Sequence, residues 1–196
     1  IGVGLVGSEM CIRDRKWIDG KLAGKSESGK SLYDATCDWL ERTPIQGSVY
    51  ASEGDEKQVD QFISDYLSAH KKLYPDTNKD VVRFFEEDKS LRRRRAGLVF
   101  IESYRDLPLL SWPRKLISTL IELEQAMILW RTSHARMVER MIGGRIGTGG
   151  SSGVDYLDMT TKYRVFVDLW TVRSILIKKD ALPTLKNKEF YEFRGE

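Results

Sequence analysis

Apolar residues recur at three- and four-residue steps along most of the chain, and nowhere do they alternate in twos over a sustained run. In SLYDATCDWLERTP, Leu32, Ala35, Trp39 and Leu40 share one helical face, Ser31 is placed to cap the N-terminus, and Pro44 ends the segment. A Gly/Ser loop at residues 47–54 follows. EKQVDQFISDYLSAHKKLY carries a cleaner stripe of Val59, Phe62, Ile63, Tyr66, Leu67 and His70, stopped by Pro75. DVVRFFEEDKSLRRRRAGLVFIESYRD reads as one helix or two, with Gly97 as the weak point. From Trp112 an apolar pattern runs to Ile142, about thirty residues and roughly 45 Å of helix. Pro113 suits its first turn, and Gly143 with Gly144 its end. TKYRVFVDLWTVRSILI reads as a last long helix, apolar at Val165, Phe166, Leu169, Trp170, Val172, Ile175 and Leu176. The pattern predicts an all-α fold, a bundle of long helices without internal repeats.

Composition narrows the function classes. The 196 residues are 41% apolar and 31% charged, as in a soluble globular domain. A net charge of +3 from 32 basic and 29 acidic residues is nearly balanced, which points to no nucleic-acid partner. The RRRR run at 92–95 offers a phosphate or RNA patch. Acidic FFEEDKS lies directly upstream and no aromatics interleave, so a solvated or interface-facing helix surface is expected instead. Cys11 and Cys37 match no metal-ligand spacing and no disulfide framework, so a reducing, cytoplasmic compartment is expected. No apolar run is long enough to span a membrane. The first fifteen residues, IGVGLVGSEMCIRDR, have no amphipathic period and no cap, and lack the charged start of a signal peptide. They resemble translated sequencing-adapter read-through. They are set aside as foreign, so the helical fold is expected over residues 16–196.

Candidate chemistry centres on HARMVERMIGGRIGTGGSSG. Leu123, Met127, Trp130, His134, Met137, Val138 and Met141 follow three- and four-residue steps, so His134 points with the apolar residues. Two readings stand side by side. One is a core histidine satisfied by a hydrogen bond. The other is a single axial heme ligand, flanked by Trp130 and Met137 as an aromatic and a soft apolar neighbour. The loop GTGGSSG lacks the lysine of a phosphate loop, and its glycine spacing fails the dinucleotide pattern. It offers backbone N–H groups and the hydroxyls of Thr148, Ser151 and Ser152, or serves only as a connecting turn.

Taken together, WRTSHARMVERMIGGRIGTGGSSG and the following YRVFVDLW resemble the tryptophan 2,3-dioxygenase family, heme enzymes that open the indole ring of L-tryptophan with O2. The likeness extends upstream to DWLERTP and downstream through RSILI. Only fourteen positions separate His134 from Thr148, where the related indoleamine 2,3-dioxygenases carry a longer insertion. The resemblance implies that His134 is the axial ligand of heme b, one per subunit, and that Trp130 is the aromatic on the same side. It implies that Thr148 contacts the ammonium and carboxylate of bound tryptophan, and that Ser151 and Tyr156 border the heme. It also implies a homotetramer.

The family's distal histidine, its carboxylate-binding arginine and its indole-pocket aromatics have no counterpart in this chain, so no catalytic residue is assigned. His70 lies in an inter-helix region without a catalytic role in the family, and a surface or packing role is expected. The chain thus reads as the C-terminal portion of such an enzyme, with a start further upstream. As given, it is expected to leave Trp130 and Met137 open to water, to bind heme weakly, to turn over no tryptophan and to assemble poorly. The alternative is a non-catalytic helical interaction module derived from the same scaffold, which a start codon near Lys16 would support.

Overall fold

The computed structural model describes residues 31–143, 157–159 and 161–192, and among them every regular element is a helix or a 3-10 turn. The order is α1 (Leu32–Glu41), α2 (Asp55–Leu73), α3 (Asn78–Glu86), α4 (Arg92–Ser103), α5 (Pro108–Ile142) and α6 (Val167–Thr171). Two compact units share the chain: Ile1–Ala35 with Leu120–Phe166, and Thr36–Thr119 with Val167–Glu196.

Local chemistry accounts for the helix boundaries. Ser31 caps α1 in a reciprocal box: its Oγ accepts the Asp34 N–H at 3.0 Å, and its own N–H donates to Asp34 Oδ2 at 3.0 Å. Such a cap contributes about 1 kcal/mol. Between α3 and α4 the chain breaks at Asp88, whose Oδ1 accepts both the N–H (2.9 Å) and the hydroxyl (2.7 Å) of Ser90. Gly97, expected as the weak point, instead lies inside α4 and is buried. A Cβ there would collide with the Leu40 carbonyl oxygen and sit 3.1 Å from Thr43 Cβ. The glycine is therefore a close-packing residue. The proline rule for a helix start applies to Pro108 rather than Pro113. Pro113 falls in the second turn, where its missing N–H costs the Leu109 carbonyl its helical partner. The last long helix does not form: the segment gives only α6 and a 3-10 turn at Val172–Ser174. Phe166, Leu169, Val172 and Ile175 are nevertheless buried. Periodicity marked the inward residues correctly and the backbone form wrongly.

The larger unit packs around aromatic rings. Phe62 and Tyr66 of α2 meet Phe100 and Phe85 edge-on, at centroid distances of 5.3 and 6.3 Å. Each fully buried ring contributes about 1.5–3 kcal/mol. The tyrosine hydroxyls find backbone partners across the unit: Tyr66 donates to Ile175 O (2.9 Å), Tyr104 to Pro183 O (2.6 Å) and Tyr191 to Pro44 O (2.6 Å). Burial pushes the Tyr66 and Tyr191 phenols up to about 12. Tyr191 also accepts the Gly47 N–H at 2.8 Å, and Gln46 takes the Lys186 N–H on its side chain and Asn187 Nδ2 on its carbonyl. These bonds hold a turn in which Gln46 and Ala51 adopt the left-handed conformation, at φ 55° and 58°.

The arginine run is spent inside this unit. Arg92 pairs with Asp60 (2.9 Å) and Arg93 with Asp55 (3.2 Å) and the Thr43 carbonyl (2.8 Å). Arg94 reaches Cys37 Sγ (3.2 Å), and Arg95 makes a forked pair with Asp168 (2.9 and 3.0 Å). The expected solvated or interface-facing surface is thus replaced by pairing within the chain, part-buried for Arg93, Arg94 and Arg95 and exposed for Arg92 with Asp60.

His70 is buried as part of the α2 stripe, with its ring 5.4 Å from Tyr74 and its Nδ1 without a hydrogen-bond partner. Of the surface and packing positions expected for it, it takes the packing one.

Two predictions follow from this packing. Gly97→Ala should cost about 1–3 kcal/mol, because the obstacle is backbone and cannot swing away. A urea midpoint equal to wild type would contradict that. Burial lowers the His70 pKa below its ordinary 6.5 despite Asp80 nearby. The fold therefore holds fewer protons than the unfolded chain, and this contribution is complete above pH 6.5 and lost as pH falls below it. Urea midpoints of wild type and His70→Gln should converge in their pH dependence above 6.5 and diverge below it. Parallel curves throughout would refute the linkage.

Candidate functional site

The second half of α5 belongs to the smaller unit and carries the candidate site. Its inward face is not the apolar stripe that the spacing predicts. Ile121, Glu124, Arg131, His134 and Ala135 are buried there, while Trp130 is 45% and Met137 49% exposed. The reason is angular. At about 100° per residue, Trp130 and Met137 lie roughly 40° and 60° round the helix from His134, both on the same side. Leu123 and Met141 are exposed as well. His134 thus stands on the border between a buried face containing charged side chains and an open apolar flank.

The imidazole is 7% exposed, and its Nε2 has no hydrogen-bond partner among the described residues. A buried ring nitrogen left alone costs about 1–3 kcal/mol. One turn earlier, the Trp130 ring stacks on the imidazole at 5.5 Å with 11° between the planes. That contact restrains the ring. Among the described residues, no group of three or more His, Cys, Asp or Glu could hold a metal ion. What the face offers is one imidazole nitrogen beside apolar surface. A heme needs one such donor and an apolar slot, so these residues fit it.

After the glycine loop the chain returns along α5 in the opposite sense. Leu157 packs on Ala135 and Val138, and Arg136 pairs with Asp158. Further back, the Glu124 carboxylate accepts the backbone N–H groups of Val165 and Phe166, the latter at 3.1 Å. Leu123, Met127 and Arg131 line a small cleft with Tyr163, Val165 and Phe166. Glu124 and Arg131 escaped the sequence reading, although they stand at three- and four-residue steps from His134. Charges at inward-facing helical positions were the available signal. Thr148, Ser151 and Tyr156 lie outside the described residues.

No helix among the described residues is long and apolar enough to cross a membrane.

Comparison with known proteins bears on the same segments. A family model described as tryptophan 2,3-dioxygenase matches residues 14–176. Tryptophan 2,3-dioxygenase 2 of Ralstonia nicotianae is 39% identical over 90% of this chain and 56% of its own length. Tryptophan 2,3-dioxygenase of Sorangium cellulosum is 40% identical over 91% of this chain and 50% of its own. A tryptophan 2,3-dioxygenase-like protein of Xanthomonas campestris is 39% identical over 88% and 74%. The chain therefore spans from half to three-quarters of the length of these curated relatives. The match takes in the helix of His134 and the returning segment that Glu124 holds, and it places the chain in the tryptophan 2,3-dioxygenase family.

Proposed function

We propose that this chain carries the axial-ligand wall of a heme-dependent tryptophan 2,3-dioxygenase, which converts L-tryptophan and O2 to N-formyl-L-kynurenine. The observation that carries the reading is the buried, unpartnered Nε2 of His134 within a segment that the family model covers. The chemistry that heme supplies is activation of O2 for cleavage of the indole C2–C3 bond.

The remaining work falls to the chain's own residues. His134 offers Nε2 as the single protein donor, and the Trp130 stack keeps the imidazole from turning away. Trp130 and Met137 supply apolar surface at the edge of the slot, where the tetrapyrrole would exclude water from them. The resemblance assigns Thr148 to the ammonium and carboxylate of tryptophan, and Ser151 and Tyr156 to the border of the slot. A loop that grips a zwitterion through hydroxyl and backbone groups holds the substrate for reaction without contributing to bond cleavage itself. The same reading proposes a cytoplasmic homotetramer.

Hemin titration of the chain should develop a Soret band and, on reduction under CO, the spectrum of a histidine-ligated heme. His134→Ala should lose both, and a variant that retains them overturns the ligand assignment. In the intact parent protein, Thr148→Val should weaken tryptophan binding by about tenfold, the worth of one hydrogen bond to a charged group, and leave hemin affinity unchanged. Calorimetry showing equal tryptophan affinity would remove Thr148 from the site.

A further inference from the structure

We propose that Glu124 is a positioning residue for the His134 wall, acting through the returning chain that it pins to α5. The proposal rests on the heme reading above. Its basis is a pair of attachments on one helix. Leu157 and Asp158 meet α5 at Ala135, Arg136 and Val138, immediately beyond His134. Val165 and Phe166 meet it at Glu124, ten residues before His134. The described parts of the returning segment are thereby fixed on both sides of the register of the imidazole.

The two attachments differ in strength. Arg136 and Asp158 are each about half exposed at 48%, so water screens their attraction. Glu124 is 5% exposed and takes two backbone N–H groups on a single carboxylate oxygen. A charged acceptor sharing two donors in a buried setting makes the stronger bonds. Phe166, donor to one of them, is itself 3% exposed and sits 6.2 Å from the Tyr33 ring. Without the carboxylate, one buried and one part-buried amide lose their acceptor, and the segment can leave the face that carries Met127, Arg131 and His134. Groups that hold a ligand's surroundings in place commonly govern affinity by about 10–100-fold although they never touch the bound species.

The test compares the full chain with Glu124→Ala, Glu124→Gln and Glu124→Asp. Gln keeps an acceptor oxygen at the same reach. Asp keeps the charge but withdraws it by one methylene, and it keeps the test readable if the alanine variant does not fold. Amide hydrogen exchange, measured without hemin, should quicken at Val165 and Phe166 by about tenfold or more in Ala and Asp, and stay near wild type in Gln. Hemin affinity should fall about tenfold in Ala and Asp, with an altered Soret band, and recover in Gln. Tyr191→Phe serves as the control, since it loses buried hydrogen bonds in the other unit and should leave the hemin spectrum unchanged. Unchanged exchange in Ala and Asp overturns the proposal. So does faster exchange with unaltered hemin binding, or an equal loss of affinity in Tyr191→Phe. If wild-type hemin binding ignores His134→Ala, the heme reading itself fails; dependence on His134 with indifference to Glu124 removes only this inference.

Discussion

A polar atom withdrawn from water needs a partner, and α5 withdraws three polar side chains on one face. Glu124 receives two backbone N–H groups. Arg131, buried at 6%, is engaged as well. His134 is the exception, because its Nε2 is buried and unanswered among the described residues. A stable fold tolerates such an orphan at a cost of about 1–3 kcal/mol, most readily where function uses the free lone pair. The arrangement of the smaller unit follows from this constraint. The helix must be long enough to carry both the anchor and the donor. The returning chain must be held against it, and the apolar flank beside the imidazole is left open.

The larger unit solves the same problem differently. The hydroxyls of Tyr66, Tyr104 and Tyr191 and the guanidinium groups of Arg93 and Arg95 reach backbone carbonyls or carboxylates from other segments. Arg95 and Asp168 are 73 residues apart, and Tyr191 bonds to Pro44 across 147. Removing one member of such a pair strands the other, so the unit stands or falls cooperatively. Cys37 belongs to this framework through Arg94, with its sulfur as a half-buried acceptor.

Much of this was legible in the sequence. The Ser31 cap, the stripe of α2 down to His70, and the helical character of α5 all follow from rules that act within a few residues. So does the association of His134 with Trp130, since residues four apart on a helix must meet. The failures share a cause. Gly97 looked like a breaker because its intrinsic helix propensity is poor, yet the close approach of Leu40 and Thr43 requires it. Residues 161–177 looked helical because their inward positions are spaced as in a helix, yet most of the segment is irregular or 3-10.

The sequence alone determined the all-α class, the buried stripe of α2, the family, and the histidine that stands out chemically. These depend on periodicity and side-chain type, which each segment carries within itself. Tertiary structure decided which flank of α5 is covered and which stays open, and it left Nε2 of His134 without a partner. It also tied four consecutive arginines to partners within the chain and gave Glu124 its two amides. Each of those outcomes depends on a group tens of residues away, and burial with pairing is a property of the packed molecule that no local pattern encodes.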